Sequence, residues 1–172
     1  MAKNIVDKID TFVKIETILI SVSDKTGLET FIPELVKVNP EIRILSTGGT
    51  FATISEILGD NAGKNLVQVS DYTGQPETQG GLVKTLDFKI YLGLLSETYN
   101  EAHQQDLQRT DALAIDMVVV NLYPFQQTVA KPGTTFEEAI EQIDIGGPSM
   151  LRSAAKNHAA VTVLVDPDDY PH

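Results

Sequence analysis

The chain has 172 residues, of which 42% are hydrophobic, and a formal net charge of −11. This length fits one domain with its own buried core, and the acidic balance argues against nucleic acid as a partner. With no cysteine and three scattered histidines, disulfides and thiolate metal sites are excluded and no metal cluster is expected. No apolar stretch approaches the roughly 20 residues of a membrane span, and no signal core opens the chain, so we expect a cytoplasmic protein that does not associate with membranes.

Alternating strand and helix patterns run along most of the chain. Five apolar, β-branched runs predict strands at 17–22, 42–46, 66–69, 116–122 and 161–165. Between them, helical spacing is clear in residues 28–35 and 51–58, and "TTFEEAIEQI" carries a capping box at Thr134/Glu137 or Thr135/Glu138. Residues 72–98 begin glycine-rich and end apolar, which gives no clear assignment.

The alternation predicts an α/β domain with a parallel, five-stranded central sheet and helices on both faces. We expect this domain to occupy residues 17–172, with residues 1–16 as an accessory arm. In such sheets, ligands bind beyond the carboxyl ends of the strands, so the residues that follow each strand are the candidate site.

The first two strands end in loops that suit a phosphate group. "SVSDKTG" offers hydroxyls and a lysine, and "STGGT" offers hydroxyls and glycines through which backbone N–H groups can reach an anion. The candidate residues are Ser21, Ser23, Lys25, Thr47, Gly48, Gly49 and Thr50. The alternatives are a helix cap with Lys25 in solvent, and a tight glycine turn.

Three later segments carry further polar candidates. "GGLVKTL" contains Lys84 and Thr85. The alternative is that Lys84 is a surface lysine whose aliphatic part covers apolar neighbours while its ammonium group stays in water. "NLYPF" contains Asn121 and Tyr123, and the tyrosine could simply pack under a loop.

The last candidate segment is "IDIGGPSMLRSAAKNH", with Asp144, Gly146, Gly147 and Lys156. Its residues alone favour a helix cap at Asp144 and a favourable cation at a helix C-terminus. Asp144 and Lys156 are about 15–18 Å apart along one helix, so they cannot touch through that helix alone.

Taken together and in this order, these motifs, with "VSDYTGQPE" and "VTVLVDPDDY", closely resemble one family. It is the bifunctional AICAR transformylase/IMP cyclohydrolase family of purine biosynthesis, and the match is to its N-terminal, IMP cyclohydrolase part. The resemblance implies a methylglyoxal-synthase-like fold and a cytosolic homodimer. It also implies closure of FAICAR (formamidoimidazole carboxamide ribotide) to IMP with loss of water and without a cofactor.

The resemblance also implies roles for individual residues. Ser21, Ser23, Lys25, Thr47, Gly48, Gly49 and Thr50 match the positions that bind the nucleotide 5′-phosphate. Thr85, Asn121, Gly146 and Gly147 match positions that line the base and ribose site. Lys84, Tyr123, Asp144 and Lys156 match the residues with catalytic roles.

The chain departs from the family around Lys84. Leu82 stands where the family has arginine, Asp87 where it has histidine and Phe88 where it has proline, and Tyr91 also differs. Leucine cannot replace the charge and planar donors of arginine. Two other functions therefore stay open: a non-catalytic nucleotide-binding module of the same fold, and methylglyoxal synthase. The family continues into a transformylase domain, so this sequence corresponds either to a fragment or to a stand-alone domain.

Overall fold

A computed structural model describes residues 6, 8–76, 78 and 84–172. In this part of the chain, five parallel strands form one sheet in the order β3-β2-β1-β4-β5. They are β1 (Thr17–Val22), β2 (Arg43–Ser46), β3 (Leu66–Gln68), β4 (Met117–Asn121) and β5 (Thr162–Leu164). The predicted five-stranded parallel sheet is confirmed, with each strand after the first slightly shorter than its apolar run.

The described residues also form nine α-helices. They are α1 (Leu28–Val38), α2 (Gly48–Leu58), α3 (Ala62–Asn65), α4 (Val69–Thr73), α5 (Phe88–Leu95), α6 (Glu101–Thr110), α7 (Phe125–Val129), α8 (Phe136–Glu141) and α9 (Gly146–Lys156). Short 3₁₀ turns occur at Gly59–Asn61 and Pro167–Asp169.

The core lies on both faces of the sheet because side chains alternate along each strand. Ile18 and Ile20 of β1 pack on one face with residues of α1 and α2. Leu19 packs on the other face with residues of α5 and α9. The expected helices on both faces are therefore present.

The helix α5 lies in the stretch that the sequence left unassigned. Its run "FKIYLGLL" is apolar on nearly all sides, so no amphipathic period is visible. Its start is defined by the Asp87 side chain, which accepts a hydrogen bond of 2.7 Å from the Lys89 N–H. At α8, the capping box predicted at Thr134/Glu137 or Thr135/Glu138 uses the second pair.

The sheet order determines which loops are neighbours. The chain runs from β1 to β2 and β3 on one side, then crosses to β4 and β5 on the other. The loops that follow β1, β2 and β4 therefore meet at one edge, called here the carboxyl edge, at the point where the strand order reverses. No helix in the described residues is long and apolar enough to cross a membrane.

Residues 8–16 contain no helix or strand and lie at the opposite, amino edge of the sheet. There the Tyr99 hydroxyl donates to an Asp10 carboxylate oxygen. The division of the chain into an arm and a domain at residue 16 stays a prediction.

A carboxylate is partly buried at the amino edge. One oxygen of Asp116 accepts hydrogen bonds from the N–H groups of Glu16 and Thr17, at 2.8 and 2.9 Å. Burial nevertheless raises the pKa of Asp116 above its usual value. The folded protein therefore binds this proton more tightly than the unfolded chain does, and the stability linked to it falls as the pH rises through the raised pKa.

We predict that Asp116→Asn increases the melting temperature at pH 7, since the amide oxygen can still accept both hydrogen bonds without a buried charge. Thermal unfolding at pH 7 and at pH 3 measures the effect, which should shrink at the lower pH. Glu56→Gln, on the exposed side of α2, is the control. A lower melting temperature for Asp116→Asn at pH 7 would show that the charge stabilises the fold.

Candidate active site at the carboxyl edge

A cavity of about 560 Å³ opens at the carboxyl edge of the sheet. The loops after β1, β2 and β4, residues 84–86 and the start of α9 form its walls. It contains every site residue proposed from the sequence except Lys156: Ser21, Ser23, Lys25, Thr47, Gly48, Gly49, Thr50, Lys84, Thr85, Asn121, Tyr123, Asp144, Gly146 and Gly147. Parallel strands bring these segments together although they are separated by more than 100 positions in the chain.

Two lysines approach the start of α2 at one end of this cavity. Lys84 Nζ lies 2.9 Å from the position that a β-carbon on Gly48 would take, and Lys25 Nζ lies 3.9 Å from the equivalent position on Gly49. The helix begins at Gly48, so the last three residues of "STGGT" form the first helical turn rather than a separate glycine loop. Its N-cap residue, Thr47, makes no side-chain capping hydrogen bond.

This end of the cavity is suited to a phosphate group. The first-turn N–H groups of an α-helix have no partner within the helix and carry partial positive charge. Here they face the same space as two ammonium groups, within a chain of net charge −11. Attraction for an anion is therefore local, against the field of the whole molecule.

Glycine at position 48 suits this geometry. Its φ is +50°, a conformation that L side chains rarely adopt, and a side chain there would displace the flexible end of Lys84. Glycine thus allows the lysine to lie directly over the helix terminus.

The end of β1 and the loop after it are held by a side chain at the end of β4 and one in the first turn of α2. Asn121 Oδ1 accepts hydrogen bonds from the N–H groups of Ser23 and Asp24, and Asn121 Nδ2 donates to the Asp24 carbonyl, at 2.7–2.8 Å. The buried Thr50 hydroxyl accepts from the Val22 N–H and donates to the Val22 carbonyl. Both side chains are thus engaged with the protein itself, which is a structural role that the sequence did not indicate.

Asp24 stabilises the same loop internally. Its carboxylate accepts hydrogen bonds from the hydroxyl and the N–H of Thr26, at 2.7 and 2.9 Å. The hydroxyl contact, followed by the backbone contact, lowers the pKa of Asp24. The alternative of an Asp or Ser helix cap is not what forms here, since Gly27 is the N-cap of α1.

The other end of the cavity is built around the start of α9. Asp144 Oδ1 accepts a hydrogen bond of 2.8 Å from the Gly147 N–H, so Asp144 does cap this helix. Asp144 Oδ2 makes no hydrogen bond to the described residues. Thr85 Oγ1 lies 2.7 Å from the β-carbon position of Gly146, which places residues 84 and 85 between the two ends.

The wall around Asp144 is more apolar than the sequence indicated. Ile140, Ile143, Ile145 and Met150 line the cavity together with Tyr123, whose side chain is exposed. Ile140 lies in α8, whereas Ile143 and Ile145 lie between α8 and α9, so no single helical period groups them in the sequence. Only the placement of this segment shows that they face the cavity.

Lys156 lies elsewhere. It is the last residue of α9 and is exposed, about 15 Å along the helix from Gly146. It is not among the residues that line the cavity, and its catalytic role stays a prediction.

The residues that depart from the family differ in their surroundings. Leu82 lies outside the described residues. The buried Asp87 carboxylate accepts hydrogen bonds from the Lys89 N–H and the Gln75 side-chain amide, so it supports α5. Phe88 is exposed, and burial raises the pKa of Tyr91.

Fold and cavity together define a parallel α/β domain with a phosphate-suited site at its carboxyl edge. Residues 27–149 match the model of the MGS-like domain family, and the chain belongs to this family. A solved structure described as "Crystal structure of ForH" superimposes with a TM-score of 0.72 at 32% identity, covering 92% of this chain and 77% of that one. The methylglyoxal-synthase-like fold is therefore confirmed.

Curated relatives carry the name "Bifunctional purine biosynthesis protein PurH". The protein from Anoxybacillus flavithermus is 53% identical over 152 residues, which is 88% of this chain. The protein from Magnetococcus marinus is 54% identical over 157 residues, or 91% of this chain. The chain spans 28% of the length of each relative. The resemblance to one part of a bifunctional purine-biosynthesis enzyme is confirmed.

We predict that Lys25→Ala weakens binding of IMP at least tenfold but leaves binding of inosine nearly unchanged, because a charge-assisted contact contributes about 1.5–3 kcal/mol. Isothermal titration with both ligands measures the difference. Lys37→Ala, which removes an exposed lysine from the far end of α1, is the matched control. Equal losses for IMP and inosine would show that Lys25 does not contact phosphate.

Proposed function

We propose that this chain is an IMP cyclohydrolase, which closes FAICAR to IMP with loss of water. The observation that carries the proposal is the single cavity, in which two lysines and a helix terminus occupy one end and Asp144, Tyr123 and apolar side chains the other. A purine nucleotide monophosphate has the same division into a charged phosphate and a flat, largely apolar base. The relatives named for purine biosynthesis support the same substrate class.

Cavity size favours a nucleotide over the small substrate of methylglyoxal synthase. A volume of about 560 Å³ is within the range of ~300–1,000 Å³ for sites that enclose a drug-sized ligand. A three-carbon phosphate would occupy a small part of it and would leave the wall of isoleucines without contact. A nucleotide would contact both ends of the cavity.

The reaction needs conformational control and proton transfer. The carboxamide nitrogen attacks the formyl carbon within one molecule, and a carbon–nitrogen bond forms. The departing water carries the formyl oxygen, one proton from the carboxamide nitrogen and one from the formamido nitrogen. Since the reacting groups are already joined, the protein has to hold the reactive conformer and move these protons.

Residues at the base end suit these tasks. We assign proton acceptance from nitrogen to the Asp144 Oδ2 atom, while Oδ1 stays bound to the Gly147 N–H. Because that N–H is occupied, it cannot also stabilise the formyl oxygen. We assign this stabilisation to the Gly146 N–H and to the Lys84 ammonium, which would turn from the start of α2 toward the base end when substrate binds, with the Tyr123 hydroxyl as a proton relay. Lys156 is assigned a supporting role by resemblance alone.

We propose that the complete enzyme carries a C-terminal transformylase domain and works in the cytoplasm, without a metal or organic cofactor. The length of the relatives supports a further domain, since this chain corresponds to 28% of them. The cyclisation itself is unimolecular and needs neither a folate nor a second nucleotide site.

We also propose a homodimer, and exposed apolar side chains around α7 and α8 support it. These side chains, called here the α7–α8 surface, do not line the cavity: Leu122, Phe125, Val129 and Phe136. Neither helix contributes a buried residue to the core.

We predict that the purified chain converts FAICAR to IMP faster than the uncatalysed reaction, and that Lys84→Ala and Lys156→Ala each reduce kcat while the fold is retained. Ultraviolet absorbance follows product formation, and circular dichroism checks the fold. Tight IMP binding with no conversion above the uncatalysed control would show that the chain is a nucleotide-binding module and not an enzyme.

We predict that Phe136→Glu weakens self-association at least tenfold, because it places a charge in the α7–α8 surface. Sedimentation velocity across a concentration series measures the monomer–dimer equilibrium. Phe12→Glu is the matched control, since Phe12 is also exposed (90%, against 74% for Phe136) but belongs to the segment at the amino edge. A wild-type chain that stays monomeric at high concentration, or a dimer indifferent to Phe136→Glu, would exclude this interface.

A further inference from the structure

The segment "DPDDY", residues 166–170, packs against the start of α1, the helix that follows the loop carrying Lys25. It forms the 3₁₀ turn Pro167–Asp169, and the Asp166 side chain accepts a hydrogen bond of 3.0 Å from the Asp168 N–H. The turn directs Tyr170 onto α1. The proposed cyclisation uses no residue of this segment.

Tyr170 contacts both ends of the first turn of α1. Its ring stacks on Phe31, with centroids 4.6 Å apart and an angle of 22° between the planes. Its ring atom Cδ2 lies 3.1 Å from the position that a β-carbon on Gly27 would take. Gly27 has a φ of +81° and is the N-cap of the helix, so Tyr170 covers the point where the loop becomes α1.

This point is directly connected to Lys25. The Leu28 N–H donates to the Lys25 carbonyl at 3.2 Å, and the N–H groups of Thr30 and Phe31 donate to the Gly27 carbonyl. Movement of Gly27 would therefore move the Lys25 backbone. On the other side, the same loop is tied to Asn121, so Tyr170 supplies the second point of attachment.

We propose that Tyr170 is a positioning residue for phosphate binding, holding the turn at residues 25–28 so that the Lys25 ammonium faces the start of α2. This inference rests on the proposed phosphate site. The ring performs this role rather than the hydroxyl, because the Tyr170 hydroxyl oxygen is buried and makes no hydrogen bond to the described residues.

The ring and the hydroxyl can be separated by substitution. Tyr170→Phe keeps the stack and removes an unpartnered polar atom, so IMP affinity should equal that of the wild type. Tyr170→Leu removes the stack, and IMP affinity should fall about threefold to tenfold while inosine affinity stays constant. Tyr99→Leu, which removes an aromatic ring at the amino edge, is the control and should change neither affinity.

Hydrogen exchange tests the positioning without any ligand. In Tyr170→Leu the amides of residues 25–31 should exchange faster than in the wild type, whereas those of β1 should be unchanged. Unchanged IMP affinity in Tyr170→Leu, or equal loss of IMP and inosine, would overturn the proposal. If the wild type binds IMP through this contact but does not cyclise FAICAR, the proposed function falls and the role of Tyr170 stands.

Discussion

The side-chain amide of Asn121 joins the two halves of the sheet at the point where the site is built. It lies at the end of β4, opposite Val22 at the end of β1, and its three hydrogen bonds hold the next loop. This loop carries Lys25. Without that attachment, neither the distance between Lys25 and the start of α2 nor the shape of the phosphate end would be defined.

The rest of the site depends on separating charges within one cavity. The lysines 25 and 84 lie at the start of α2, whereas Asp144 lies at the start of α9, where it binds the Gly147 N–H. An acidic chain therefore holds a local positive potential for phosphate and, at the other end, a carboxylate that can accept a proton. Thr85, beside Gly146, connects the two ends.

Much of this arrangement could be predicted from the sequence. Apolar runs identified the strands, and the rule that parallel strands end at one edge placed the polar residues together. Pattern could not show which polar groups the protein itself uses: Asn121 binds the loop after β1 and Thr50 binds Val22 at the end of that strand. It could not show the helix α5, because its apolar run has no visible period. Nor could it show the isoleucine wall or the contact of Tyr170 with Gly27, because each depends on residues distant in the chain.

A crystal structure of the chain with bound IMP tests the central claim most directly. We expect the phosphate within hydrogen-bonding distance of Lys25 Nζ and of the N–H groups of Gly49 and Thr50, with the base between Tyr123 and Asp144. A phosphate bound away from the start of α2, or a base that does not enter the end lined by Asp144, would contradict it.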